Sequence, residues 1–409
     1  MSVKQKELVP KRRFKGFNGN LQTYTLSEIT DIYDGTHQTP KYAEEGVMFL
    51  SVEDIKTLKS NKFISQEEFQ KDFKNYPEKN DVLMTRIGSI GIANVVQTDQ
   101  KLAYYVSLAL LKTKNVSPKY LVASISSPSV QKELWKRTLH IAFPKKINKN
   151  EIENVQINLP SYSEQQKIGQ FFKHLDEMIT LEQRKIDKTK ALKSAYLAEM
   201  FPAEGERVPK RRFEGFTDEW RQLKLIDFVD KAVDNRGKTP PLNINGSHPL
   251  IEVASLGNGS PDYSKIEKRL DDYSFRNNLR DYIKENDILF STVGRIGLVS
   301  LMDQNEDAAI AQNIVAFRTK INYVPEYIYA LFSTKESKFK ANSIVMGAVQ
   351  PSIKVSQLIH IKYSLTTNKK EQEKIGQFFK NLDEMIATHE QKLAKLKATK
   401  QAYLHEMFV

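Results

Sequence analysis

KIGQFFKHLDEMI, running from Lys167 to Ile179, returns as KIGQFFKNLDEMI from Lys374 to Ile386, 207 positions later. A match of that length is a duplication, and other pieces recur around it. VPKRRFKGF from Val9 returns as VPKRRFEGF from Val208, and LAEMF from Leu197 as LHEMF from Leu404. Asn80-Asp81…Gly88-Ser89-Ile90-Gly91 matches Asn286-Asp287…Gly294-Arg295-Ile296-Gly297. The offset grows from 199 at the first pair to 207 at the last, so insertions lie between the shared pieces. The blocks they enclose, 21–160 and 220–367, otherwise share little more than scattered pattern. A period of about 200 residues is far too long for a solenoid, and each unit is read as a domain in its own right.

The repeated string opens a helix in each half. Its apolar residues fall at the alternating 3-4 spacing of a coiled-coil seam: Ile168, Phe172, Leu175, Ile179 and Ile186 in the first, Ile375, Phe379, Leu382, Ile386, Leu393 and Leu396 in the second. The seam is imperfect, carrying Glu182, Thr189, Lys193, His389 and Lys400, and polar seam residues can fix register and partner choice at a cost in stability. Ser161-x-x-Glu164 and Asn368-x-x-Glu371 have the form of capping boxes. Each helix should run for about 39 residues, roughly 58 Å. The competing expectation is that each helix merely covers the domain beside it.

The enclosed blocks read as mixed α/β domains of about 150 residues, large enough to fold alone. Val47–Val52, Asp81–Thr85 and Ile288–Thr292 have strand length, while Pro118–Ser127, Gln131–Thr138, Pro325–Ser333 and Glu336–Asn342 have helical pattern. The expected order is an N-terminal segment (1–20), a first block (21–160), a central helix (161–202), a linker repeating the N-terminal segment (203–219), a second block (220–367) and a C-terminal helix (368–409).

Composition narrows function. Sixty-two Lys and Arg against 50 acidic residues leave a net charge of +12, which suits a polyanionic partner. With no cysteine, a disulfide framework, a thiol nucleophile and cysteine-rich zinc modules are excluded, and the seven histidines lack metal-site spacing. No apolar run is long enough to span a bilayer and the charged start does not suit a signal peptide, so a cytoplasmic protein is expected.

PKRRFxGF, a strand ending in Gly-x-Ile-Gly, and EQxKIGxFFxxLDEMI leading into a long helix, each present twice around dissimilar blocks, resemble the specificity subunit of type I restriction-modification systems. The resemblance covers the whole chain and is most specific in the repeated helices. It implies a mixed α/β fold of two target recognition domains separated by two long antiparallel coiled-coil helices, with an internal pseudo-twofold repeat. It implies that each domain reads one half of a bipartite site in double-stranded DNA, that the helices set the spacer, and that the chain docks two adenine-N6 methyltransferase subunits and then the restriction/translocase subunits. S-adenosylmethionine, ATP and Mg would then be used by those partners, with no cofactor, metal or catalytic residue on this chain.

The residues themselves agree that chemistry is missing. The one Pro-Pro, Pro240-Pro241, lies between Thr239 and Leu242 and cannot form the Asp/Asn-Pro-Pro-aromatic loop that holds a flipped adenine. Pro261-Asp262 and Glu336-Ser337-Lys338 have the letters of a nuclease site, but the latter falls in a helical pattern, and no Walker-type loop exists.

Candidate DNA contacts cluster at corresponding points of the two halves. The glycine pairs bring Arg86 and Ser89, and Thr292 and Arg295, to turns where backbone can approach phosphate; a simple tight turn is the alternative. The loops after the first strands bring Thr39 and Lys41, and Arg236, Lys238 and Thr239. HIAFPKKIN (140–148) and MGAVQPSIK (346–354) contribute His140, Lys145 and Lys146, and Gln350, Ser352 and Lys354; Gln350 could pair bidentately with adenine. Tyr105, Gln312 and Asn313 complete the set, with core packing or a buried amide network as their plainer roles. Lys11-Arg12-Arg13 and Lys210-Arg211-Arg212 belong to the shared frame and are expected to touch phosphate or methyltransferase. A coiled-coil adaptor whose blocks bind proteins is the alternative function.

Overall fold

The computed structural model describes residues 8–235, 240–257, 259–304, 307–347 and 349–409. In chain order the elements that matter are β1 (Gln22–Thr25), β2 (Thr30–Asp34), β3 (Val47–Leu50), β4 (Val82–Thr85), β5 (Ala93–Val95), β6 (Leu102–Tyr104), β7 (Leu108–Thr113), α1 (Pro118–Ile125), α2 (Pro128–Lys136), β8 (Gln156–Leu159) and α3 (Tyr162–Glu199). The second half repeats the series: β9 (Arg221–Lys224), β10 (Val229–Asp234), β11 (His248–Ile251), β12 (Ile288–Ser291), β13 (Val299–Leu301), β14 (Ala309–Ile310), β15 (Ile314–Thr319), α4 (Pro325–Ser333), α5 (Lys335–Ser343), β16 (Lys362–Leu365) and α6 (Lys369–Met407). The chain forms two compact units, Met1–Leu181 with Leu393–Val409, and Glu182–Lys392, so each unit owns part of both long helices.

In the first unit β2, β7, β4 and β5 form an antiparallel sheet in that order, and the parallel pair β3 and β6 carries a second, smaller sheet. β1 pairs with β8, the strand that feeds α3. The second unit has the same order, β10-β15-β12-β13, with parallel β11 and β14 and the pair β9-β16. Two blocks with almost no common sequence therefore share the order of their main sheet, although the second sheet has four strands in the first block and three in the second. The central strands β4 and β12 are buried along their whole length, which explains why both read as continuous apolar runs rather than alternating ones.

The repeated helical string docks each helix on its own domain. Gly169 packs so close to α1 that a Cβ there would lie 2.7 Å from the Tyr120 amide nitrogen, and at Gly376 the same atom would lie 2.9 Å from that of Tyr327. Gln165 accepts from the Ser117 amide (3.0 Å) and Gln372 from the Val324 amide (2.9 Å), satisfying donors ahead of α1 and α4. Phe172 and Phe379 are buried in the cores of their domains, each such side chain contributing roughly 1.5–3 kcal/mol.

The glutamates of the expected capping boxes do something different. Their amides do bond to Ser161 and Asn368, at 3.4 Å in both cases, but their carboxylates are taken by arginines of the shared frame. Arg13 binds Glu164 and Arg212 binds Glu371 in bidentate fashion, with the carboxylates 2% and 0% exposed. Neighbouring Arg12 and Arg211 reach the opposite helix end, Glu406 and Glu199, and lie over Tyr403 and Tyr196. Arg13 and Arg212 are thus internal staples, turned away from phosphate or a partner, whereas Arg12 and Arg211 stay exposed within their pairs and Lys11 and Lys210 are exposed without one among the described residues.

Within each unit the helix segments run antiparallel. In the first, Asp176 pairs with Lys400 (2.5 Å) and Phe171 packs on Tyr403; in the second, Lys193 pairs with Asp383 (2.5 Å) and Glu182 with His389 (2.7 Å) and Lys392 (3.0 Å). Four of the five polar interruptions of the seam, Glu182, Lys193, His389 and Lys400, are therefore bound across the helix pair, while Thr189 donates to the Lys185 carbonyl within its own helix (2.8 Å). Both expectations for the helices hold in part: Ile168, Phe172 and Leu175, like Ile375, Phe379 and Leu382, belong to domain cores that also include the facing helix. Ile186, Ile386 and Leu393 are buried as seam residues, whereas Ile179 and Leu396 are only partly covered.

Candidate nucleic-acid interface

In each unit the turn after the central strand and the loop before the last short helix are bonded into one assembly. Gly88, Gly91, Gly294 and Gly297 all have φ between 75° and 82°, a conformation that needs glycine, so both turns are sharp and expose residues 89 and 295. Gly88 donates to the Lys145 carbonyl (2.8 Å) and Ile147 to the Arg86 carbonyl (3.0 Å). In the second unit Gly294 donates to the Pro351 carbonyl (2.9 Å) and Ile353 to the Thr292 carbonyl (2.9 Å). The backbone device is the same in both units, and the side chains it displays are not.

In the first unit the loop displays His140, Ile141, Phe143, Lys145 and Lys146 to solvent. Lys145 Nζ sits 4.4 Å above the Trp135 ring, and the His140 ring, 4.3 Å from that indole, donates to the Trp135 carbonyl (3.0 Å). In the second unit Gln350, Lys354 and Arg295 are exposed and Ser352 is half-buried, its backbone paired with Met346. Exposed amides, hydroxyls and cations beside a close-approaching backbone can bind phosphates and base edges. Among the described residues no cluster of three or more His, Cys, Asp or Glu could hold a metal, and no helix is long and apolar enough to cross a membrane.

The family model for the type I restriction modification DNA specificity domain matches the chain twice, over residues 18–191 and 217–398. The chain belongs to this family. A curated relative, the type I restriction enzyme MjaVIII specificity subunit of Methanocaldococcus jannaschii, is 22% identical over 272 residues, covering 63% of this chain and 62% of that protein. The chain thus aligns with less than two thirds of that relative's length. The crystal structure of a type I restriction-modification system S subunit from M. genitalium shares the fold, with a TM-score of 0.68 at 14% identity over 98% of this chain and 99% of that one.

Against this DNA specificity fold the sequence-predicted residues separate into groups. Ser89, His140, Lys145 and Lys146 meet at one assembly, and Arg295, Gln350, Ser352 and Lys354 lie on the other. Thr39 and Lys41 are exposed on the loop after β2, and Gln312 is exposed just ahead of β15. Tyr105 is half-buried against Phe49, and Asn313 is half-buried, its carbonyl taken by Thr292. Arg236, Lys238 and Thr239 lie outside the described residues.

Two expectations need correction. Arg86 is 7% exposed, its guanidinium bound to Asp34 and to the Ile147 carbonyl, so it braces the loop from inside. Thr292, at the equivalent place, is fully buried with its hydroxyl on the Asn313 carbonyl (3.2 Å). Both sit at the end of a central strand, where the pleat turns them inward, and the spacing from the glycine turn did not reveal that. The letters of a nuclease site are likewise taken: Glu336 pairs with Lys340 along α5 (2.7 Å), and Asp262 with Lys265 (2.8 Å). Sequence reasoning passed over Phe143 and Val349, although both lay inside the corresponding loop strings; an apolar residue amid polar loop residues was the available signal.

Proposed function

We propose that this chain is the DNA-reading, non-catalytic subunit of a type I restriction-modification complex. Each of its two domains reads one half of an asymmetric bipartite duplex site, the long helices set the spacer, and the frame docks adenine-N6 methyltransferase subunits that recruit the restriction subunits. The observation that carries this reading is the duplicated turn-and-loop assembly: one backbone arrangement with two different sets of exposed cations, amides and hydroxyls. Corresponding backbone bonds to the glycine turn with unlike side chains suit two different half-sites. S-adenosylmethionine, ATP and Mg belong to the partners in this scheme. The relative from Methanocaldococcus jannaschii is likewise a type I restriction enzyme specificity subunit.

Methylome sequencing of a host that expresses the chain with its cognate methyltransferase tests the proposal. The expected product is a methylated motif of two unlike parts around an unspecified spacer, and a single uninterrupted palindrome would overturn it. The helix role has its own readout in the same experiment. Deleting seven residues from α3 moves its end by about 10 Å at 1.5 Å per residue, so the spacer should change or methylation should cease while both half-sites keep their bases.

A further inference from the structure

The two loop tips share a property that polar readout does not need. Phe143 and Val349 stand at equivalent positions of the two loops, 206 residues apart, and both are fully exposed, at 102% and 100%. Each lies two residues before the residue whose carbonyl is held by the glycine turn, Lys145 in one case and Pro351 in the other. Ile141, also on the first tip, is 99% exposed. An exposed apolar residue is ordinary by itself. Here the same site on two divergent loops, held by the same backbone bonds, projects one wholly into solvent both times.

The surroundings say what could cover it. Phe143 is followed after one residue by Lys145 and Lys146, both exposed and neither in an ion pair among the described residues. The tip therefore couples an apolar ring to uncompensated positive charge, a combination that fits the stacked bases and phosphates of duplex DNA better than an apolar protein groove. Its base is stiffened by the bonds to the glycine turn and by the Trp135, His140 and Lys145 stack. A rigid mount is what a wedge requires.

We infer that Phe143 is a wedge that enters between adjacent base pairs of the first half-site, and that Val349, too short to separate a base step, packs against a base edge such as a thymine methyl in the second. This rests on the DNA-reading function proposed above and adds an asymmetry to it: the first half-site is distorted on binding and the second is not. Specificity in the first domain then includes how easily a step unstacks, beyond the hydrogen bonds made to it.

The test uses the complex of the full chain with its methyltransferase on the cognate duplex, with fluorescent base analogues placed singly across each half-site. The methylated adenines are left unlabelled so that base flipping does not report. Binding should raise fluorescence at one step of the first half-site only. Phe143→Ala should abolish that rise and weaken binding about tenfold, as loss of one aromatic–base stack does, while Phe143→Trp keeps both. Val349→Ala should weaken binding by a few-fold at most and leave the signal in the first half-site intact. The side chain is fully exposed, so melting temperatures should not move. The inference is overturned if Phe143→Ala retains the signal and the affinity, or if it instead loses methyltransferase on co-purification, which would make the tip a protein-docking surface. Failure of the wild-type complex to bind duplex DNA in a salt-dependent way would overturn the underlying function as well, and is a separate result.

Discussion

The helical frame and the turn-and-loop assemblies are both present twice, but they repeat in different senses. The frame repeats side chain for side chain: Arg13 on Glu164 matches Arg212 on Glu371, Lys167 over Phe17 matches Lys374 over Phe216, and Phe14 on Phe171 matches Phe213 on Phe378. The assemblies repeat only in backbone. Where Arg86 braces one from within through Asp34, Thr292 braces the other through the Asn313 carbonyl. The difference teaches where the sequence is free. A frame made of side-chain pairs changes only if both partners change, whereas a loop held by amides and carbonyls accepts new side chains without losing its shape.

The largest effect should come from breaking the frame. Arg212→Ala leaves the Glu371 carboxylate, 0% exposed, without its bidentate partner, and loss of a buried pair's cation costs about 3–5 kcal/mol. Arg211→Ala, one residue away, removes a solvent-screened pair with Glu199 and should cost far less. Chemical denaturation of the two variants side by side measures the contrast. Equal costs would mean that burial of the staple contributes nothing.

Next comes the seam, where burial and charge oppose each other. Desolvation pushes the Asp383 carboxyl above its ordinary value, and Lys193 at 2.5 Å pulls it back. A carboxyl whose folded pKa is raised gives its full stability below the unfolded value of about 4, and that stability is lost as pH rises through the folded value. Lys193→Met keeps most of the volume and removes the opposition. Its penalty should be small in acid, where Asp383 is protonated in both proteins, and grow to about 2–4 kcal/mol by pH 7. A penalty independent of pH would place the loss in packing instead.

Within the assemblies the two braces should differ in strength. Arg86→Met strands the partly exposed Asp34 and should cost about 2–3 kcal/mol, while Thr292→Val gives up one neutral hydrogen bond, about 1 kcal/mol. Neither should alter which bases are read if the side chains act from inside. Melting curves combined with methylation motifs for both variants check this; a changed motif in the Arg86 variant would return that residue to the surface role the sequence suggested.

That contrast also shows what was legible beforehand. The duplication followed from repeated strings, the helices from their 3-4 spacing and the central strands from short apolar runs, because a repeated side-chain frame leaves repeated letters. The common order of the main sheet in the two blocks was not legible, since strand order is held by backbone bonds that impose few letters. The capping boxes misled for a related reason: Ser161-x-x-Glu164 looks local, yet Glu164 serves Arg13, which lies 151 residues away. Arg86 and Thr292 were adjacent to the right turn and faced the wrong way. Phe143 and Val349 were in view as letters, but only the structure shows that both are bare.

The smallest effect should be at a turn tip. Arg295 is exposed at φ-positive glycine neighbours, with its carbonyl held by Ser291 (2.6 Å) and its guanidinium without an ion-pair partner among the described residues. Nothing inside the domain depends on that side chain, so Arg295→Ala should leave the melting temperature in place. If the guanidinium neutralises one phosphate, the variant should bind about tenfold or less more weakly at low salt, with the slope of log K against log salt shallower by about 1. The loss should be equal for cognate and unrelated duplexes, since a phosphate contact carries no base information. A loss confined to the cognate duplex would instead make Arg295 a base reader, and the second assembly would then match the first in placing a large side chain among the bases.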